Sequence, residues 1–134
     1  MTIELWALLG AAAILWIAIF AQQIALDKAV GAKYALSNRE QDHSFEGATR
    51  LHGRLTRTVR NHVEGLSLFA PLILTASVAG VSNVWTQYAA IAFFITRLLH
   101  FVFYAAGITP FRSFAWGLGF FFALGSFVFG LVTG

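Results

Sequence analysis

The chain has 134 residues, of which 58% are hydrophobic, 16% aromatic and only 11% charged, with a mean hydropathy of +0.72. Soluble domains carry about 25% charged residues, so this composition excludes an ordinary soluble domain and leaves room for four membrane spans of roughly 20 residues each. Nine Lys+Arg against six Asp+Glu give a net charge of +3. There is no polar surface to spend on nucleic acid, and the absence of cysteine excludes disulfides, thiolate metal ligands and a cysteine nucleophile.

Residues 5–26 contain no charged side chain, which predicts a first span over 3–26. Only Glu4 precedes the apolar run and no cleavage pattern follows it, so the segment is expected to remain as a span rather than act as a cleaved signal. Residues 28–49 hold Lys33, Arg39, Glu40, Asp42, His43 and Glu46, a composition that predicts a solvated cytoplasmic loop. The stretch 50–64 is basic and 65–81 is uncharged, so one helix is predicted over 53–81. It would measure roughly 43 Å, against ~30 Å of hydrocarbon, with Pro71 as a possible kink. VSNVWT (81–86) reads as a tight turn with an interfacial Trp85, and a third span is predicted over 84–106. Gly107 to Pro110 makes a second short turn before a fourth span over 111–133. That span carries Gly119, Ala123, Ser126, Gly130 and Gly134, small residues that either admit a close helix or relieve crowding among its Phe side chains. The predicted fold is all-α, a single integral membrane four-helix bundle over 1–134.

Seven of the nine Lys+Arg fall between Lys28 and Arg60, and Arg112 follows the turn between spans three and four. The termini and the other turn have none, so the basic side is expected in the cytoplasm and both termini opposite it. Small size and short loops suit a bacterial inner membrane, and an endoplasmic-reticulum membrane is equally compatible with them.

Helical spacing places Arg57, Asn61 and Glu64 at i, i+4 and i+7 on one face, joined by Arg60 and continued backward by Arg50 and Arg54. A stripe of snorkelling arginines is one reading, but Asn61 and Glu64 contribute nothing to such an anchor. Arg97, His100 and Tyr104 follow at i, i+3 and i+7, with Arg97 about 20 Å along its helix. A charge at that depth costs at least ~2.5 kcal/mol, so Arg97 must face the bundle interior and find a partner, for which Glu64 is the expected candidate. Arg112 and Ser113 lie near a helix N-terminus, a favourable place for an anion. Together these groups suit a ligand with several carboxylates and one ammonium, the ammonium falling to Glu64.

In order and spacing, RTVRNHVEGLSLFAPL (57–72), RLLHFVFY (97–104) and PFRS (110–113) resemble the family of membrane-associated proteins in eicosanoid and glutathione metabolism, and within it the microsomal prostaglandin E synthase branch. The resemblance implies a homotrimer of four-helix subunits, with glutathione bound between neighbours near the cytoplasmic side. A lipophilic electrophile would approach from the bilayer. It implies that Arg57, Arg60, Asn61, Glu64, His100 and Tyr104 hold glutathione, with Arg97 in the same network. Arg112 would face the sulfur with Ser113 nearby, making Arg112, Ser113 and Tyr104 the expected catalytic group of a transferase- or peroxidase-type enzyme. No metal is expected. The chain departs from the pattern at Thr58, at Ile24 where the prostaglandin synthases carry an arginine, and at SNRE (37–40). A non-catalytic lipid-binding or scaffold protein and a small transporter are the competing readings. Lowering a thiol pKa by two units from about 8.5 takes about 2.7 kcal/mol, within reach of one arginine and a helix N-terminus.

Overall fold

The structure, a computed structural model, describes residues 1–38 and 49–134. Helix α1 (Ile3–Val30) begins where the Thr2 hydroxyl accepts the Leu5 N–H at 3.4 Å. It runs to Val30, beyond the predicted end at 26. Gln23 Nε2 donates to Asp27 Oδ1 one turn on, at 2.8 Å, and Lys28 sits among the last carbonyls, where a cation is favoured. A single turn, α2 (Ala32–Ala35), follows. Residues 39–48, the middle of the predicted loop and the second half of SNRE, lie outside the described residues.

Helix α3 (Arg50–Ala79) starts before the predicted residue 53 because the Thr49 hydroxyl accepts the His52 N–H at 3.0 Å. It continues through Pro71 as one helix and stops at Gly80, whose φ of +68° is a left-handed conformation that other residues resist. Helix α4 (Val84–Ala106) opens on a capping box: Asn83 Oδ1 accepts the Trp85 and Thr86 N–H groups, while Thr86 Oγ1 accepts the Asn83 N–H. The fourth span is composite. Helix α5 (Thr109–Gly117), with Pro110 in its first turn, passes into a π-helical turn (Leu118–Ala123) and then α6 (Leu124–Thr133). The segments Ile3–Val30, Arg50–Ala79, Val84–Ala106 and Thr109–Thr133 are each long and apolar enough to cross a membrane. No strand occurs among the described residues.

Lipid tails are as apolar as leucine, so shape rather than hydrophobicity must hold membrane helices together. Phe69 of α3 stacks on Phe93 of α4, with centroids 3.8 Å apart, and meets Phe127 of α6 edge-on at 5.9 Å. Around these rings the contacts are made by Ala7, Ala11, Ala76, Ala89, Ala90 and Ala123. The small residues of the fourth span do admit a close helix: a Cβ on Gly130 would lie 2.7 Å from Trp85 Cβ, so α6 rests directly on the start of α4. Asn83 Nδ2 donates to the Gly130 carbonyl at 2.8 Å, and the buried Glu4 carboxylate accepts from Ser82 and Thr86 at 2.9 and 2.6 Å. This polar clamp joins α1, α4 and α6 at one end of the bundle, leaving the basic end to build a site.

Candidate functional site

At the basic end, the first half of α3, the last turns of α4 and all of α5 converge. The i, i+4, i+7 spacing on α3 and the i, i+3, i+7 spacing on α4 bring their polar faces together. A cavity of about 280 Å³ is lined by Arg57, Arg60, Asn61, Glu64 and Tyr104. A second, of about 470 Å³, is lined by Asn61, His100, Tyr104, Arg112, Ser113, Trp116 and Gly117. The two share Asn61 and Tyr104, so eight of the nine residues singled out in the sequence border one continuous set of walls.

Tyr104 is the hinge of this arrangement. Its hydroxyl accepts from Arg57 Nε at 3.1 Å, and the Arg112 guanidinium lies 4.6 Å from its ring centroid, a cation–π distance. The buried His100 ring packs 5.3 Å from Tyr104, and its Nδ1 has no partner. Arg57, Arg60 and Glu64 are exposed at the mouth. Among the described residues, none of these cations forms an ion pair with a carboxylate. Among the described residues, the site therefore gathers several guanidiniums and the exposed Glu64 carboxylate at its edge.

Arg97, the ninth residue, lies beneath the cavities with 1% of its surface exposed. Nη1 donates to Asn61 Oδ1 at 3.2 Å, Nη2 donates to the Trp116 carbonyl at 3.4 Å, and Nε has no partner. The expected Arg97–Glu64 pair does not form: Glu64 stays exposed on the cavity wall, and Asn61, one turn earlier, takes the guanidinium. Two glycines explain the geometry. A Cβ on Gly65 would stand 3.3 Å from Nη1, and one on Gly119 would meet the Thr96 hydroxyl first and stand 2.8 Å from Nη2, so α3 and the π turn leave room that the guanidinium shares with Thr96.

Other residues of the motifs turn elsewhere. Arg54, expected on the same stripe, donates to the Ala105 carbonyl at 3.4 Å and lies over Gly107, bracing the C-terminal end of α4. His62 is buried with Nε2 3.0 Å from the Ala11 carbonyl, toward α1. Thr58 is buried and donates to the Arg54 carbonyl at 3.0 Å. Gln22 donates to Thr56 at 3.0 Å, and Ile24 is exposed; neither borders either of these two cavities.

Trp116, Gly117 and the glycine slot were not singled out in the sequence. Trp116 was within reach of it, since it follows Arg112 by four residues and so shares its helical face. The roles of Gly65 and Gly119 depend on which helices pack together, which spacing within one helix does not specify. An apolar groove of about 540 Å³ between α4 and the fourth span, lined by residues such as Trp85, Tyr88 and Phe122, shares no residue with the site.

No curated protein and no solved structure matches the chain. The sequence pattern of the MAPEG family matches residues 3–132, nearly the whole length, across all four spans. On that match the chain belongs to the MAPEG family.

Proposed function

We propose that this protein is a glutathione-dependent membrane enzyme of the transferase or peroxidase type, acting on a lipophilic electrophile or hydroperoxide. The observation that carries the reading is the pair of cavities joined through Asn61 and Tyr104, one cationic with the exposed Glu64 carboxylate, the other holding Arg112 and Ser113 against an aromatic wall. Glutathione has two carboxylates, an ammonium, amides and a thiol. The donor set fits it: Arg57 and Arg60 offer guanidinium forks for carboxylates, Glu64 an acceptor for the ammonium, and Asn61 an amide for the backbone. The buried His100 Nδ1, which has no partner and borders the larger cavity, supports a polar ligand.

When bound, glutathione supplies the sulfur nucleophile. Arg112, near the N-terminus of α5, holds positive potential where the sulfur would lie and favours its ionised form. Tyr104, fixed by Arg57 on one side and Arg112 on the other, and Ser113 present hydroxyls to the same space. Arg97 fixes Asn61 from below. Membership of the MAPEG family supports a homotrimer, in which a neighbour would meet the exposed Arg57, Arg60 and Glu64 of α3. The basic end faces the cytoplasm in this proposal, with both termini on the other side.

The test is glutathione-dependent conjugation of an aryl halide and reduction of an organic hydroperoxide by the detergent-purified protein. Arg112→Ala is expected to retain glutathione binding and lose about 100-fold in rate, the equivalent of two pKa units of thiolate stabilisation. Its rate–pH profile should move up toward about 8.5, because the thiolate has lost its cation. Full turnover in Arg112→Ala would contradict the assignment. Glutathione binding without either activity in the parent protein would favour the scaffold reading.

A further inference from the structure

Tyr104 sits in the last turn of α4, and only Gly107 and Ile108 separate that helix from α5, which carries Arg112 and Ser113. The direction α5 takes is therefore decided at this turn. The Gly107 N–H donates to the Tyr104 carbonyl at 3.1 Å and the Ile108 N–H to the Phe103 carbonyl at 2.9 Å, the paired bonds that close a helix on a left-handed glycine, here at a φ of +78°. The Ala105 carbonyl stands among the last four of α4, which lack partners within their own helix, and Arg54 of α3 takes it, with Nη1 donating at 3.4 Å.

The same guanidinium lies across Gly107. A Cβ added there would stand 2.5 Å from Arg54 Cζ and 2.6 Å from each Nη, so the turn admits the arginine because it presents no side chain. Beyond the turn α5 has little of its own to hold its start: its N-cap, Ile108, contributes no side-chain hydrogen bond, and the Phe111 ring packs 5.8 Å from Phe103. Its far end is held by the bond from Arg97 to the Trp116 carbonyl. A nine-residue helix, roughly 13 Å long, thus hangs between two guanidiniums, one from α3 and one from α4. Arg54 itself borders neither cavity of the site, and a snorkelling arginine would extend toward the headgroups rather than turn inward onto α4.

We propose that Arg54 is a positioning residue, whose clamp on the turn between α4 and α5 fixes α5 and so holds the Arg112 guanidinium over Tyr104 and against the larger cavity. The inference rests on the glutathione reading for what Arg112 then acts upon; the clamp itself does not. Arg57, Arg60, Asn61 and Glu64, the groups offered to the glutathione backbone, stand on α3 and do not depend on where α5 lies. Loss of the clamp therefore separates binding from rate. The ligand still docks, while the cation that favours its ionised sulfur is no longer fixed.

The experiment compares the full-length protein with Arg54→Gln, Arg54→Lys and Arg50→Gln. The last removes the same charge from the exposed residue one turn earlier on the same helix, and should match the parent throughout. In Arg54→Gln, backbone deuterium exchange over 107–113 should quicken by about fivefold or more while 84–95 keeps the parent's rate. Glutathione affinity should stay within about threefold. The kcat of aryl-halide conjugation should fall about tenfold, and the rate–pH profile should move up by about one unit, the equivalent of that loss. Arg54→Lys keeps a donor without the flat fork and should fall between the two. Unchanged exchange over 107–113 in Arg54→Gln would overturn the proposal, as would a rise shared equally by 84–95, which reports loosening of the whole bundle. Raised exchange with kcat and pH profile unchanged would also overturn it, since Arg54 would then brace the turn without placing Arg112. A parent that neither binds glutathione nor turns over contradicts the glutathione reading alone; exchange raised only over 107–113 would still support the clamp, and unchanged exchange would still overturn it.

Discussion

Arg97 concentrates the energetics of the site in one side chain. A buried guanidinium that donates only to an amide oxygen and a carbonyl retains its full charge, and removing one partner leaves that charge less compensated still. Its slot is defined by absent atoms at Gly65 and Gly119, so the sharpest perturbation adds one carbon and changes no charge. Gly119→Ala should destabilise the protein by about 1–3 kcal/mol, as overpacking does. It should also weaken ligand binding at Asn61, because the added Cβ meets the Thr96 hydroxyl and then Nη2 at 2.8 Å, and a shifted guanidinium carries that amide with it. Thermal unfolding and glutathione titration of the variant check both effects. Gly125→Ala, where an added Cβ meets nothing within 4 Å and which borders neither cavity, is the control and should melt at or slightly above the parent. At this scale the sequence was most informative for residues whose charge is out of place in hydrocarbon. Arg57, Asn61, Glu64, Arg97, His100 and Arg112 were all legible because each polar group there needs a reason. The partner of Arg97 was not, because choosing Asn61 over Glu64 depends on how deep α4 sits against α3, a quantity set by Gly65 on α3 and Gly119 in the π turn.

The elements divide into a clamp and a site. Caps explain the ends of α3 and α4: a threonine or asparagine supplies the first hydrogen bonds, and a left-handed glycine stops each helix. Those signals are local, which is why the four long apolar helices could be read directly from the chain. The π turn could not. It arises from Arg97 docking on the Trp116 carbonyl and from Phe packing among neighbouring residues, and LGFFFA by itself reads as an ordinary helix. The clamp at the far end makes a separate expectation. Asn83→Ala removes the cap of α4 and the bond to Gly130, which should cost about 1–2 kcal/mol. Glutathione affinity should stay unchanged, since no residue of the clamp borders either cavity. A melting curve and a binding isotherm of the same variant read the two outcomes.

For the whole molecule, the charge distribution predicts an orientation that can be tested. The basic end carries Arg57, Arg60 and Arg112, while at the opposite end the Glu4 carboxylate is buried against hydroxyls. Because the chain has no native cysteine, single cysteines at Thr2 and Thr133 report topology cleanly. In intact cells both should react with an impermeant maleimide, and a cysteine at Lys33 should react only after lysis; the reverse pattern would contradict the orientation. The central claim is that α3, α4 and α5 build a glutathione site at the basic end. Its most direct test is a thermal-shift titration of the purified protein with glutathione, with Arg57→Ala and Glu64→Ala alongside. The account expects saturable stabilisation of the parent, lost or strongly weakened in both variants, because one removes a carboxylate fork and the other the ammonium acceptor. Absence of stabilisation in the parent at millimolar glutathione, or stabilisation equal in all three proteins, would contradict it.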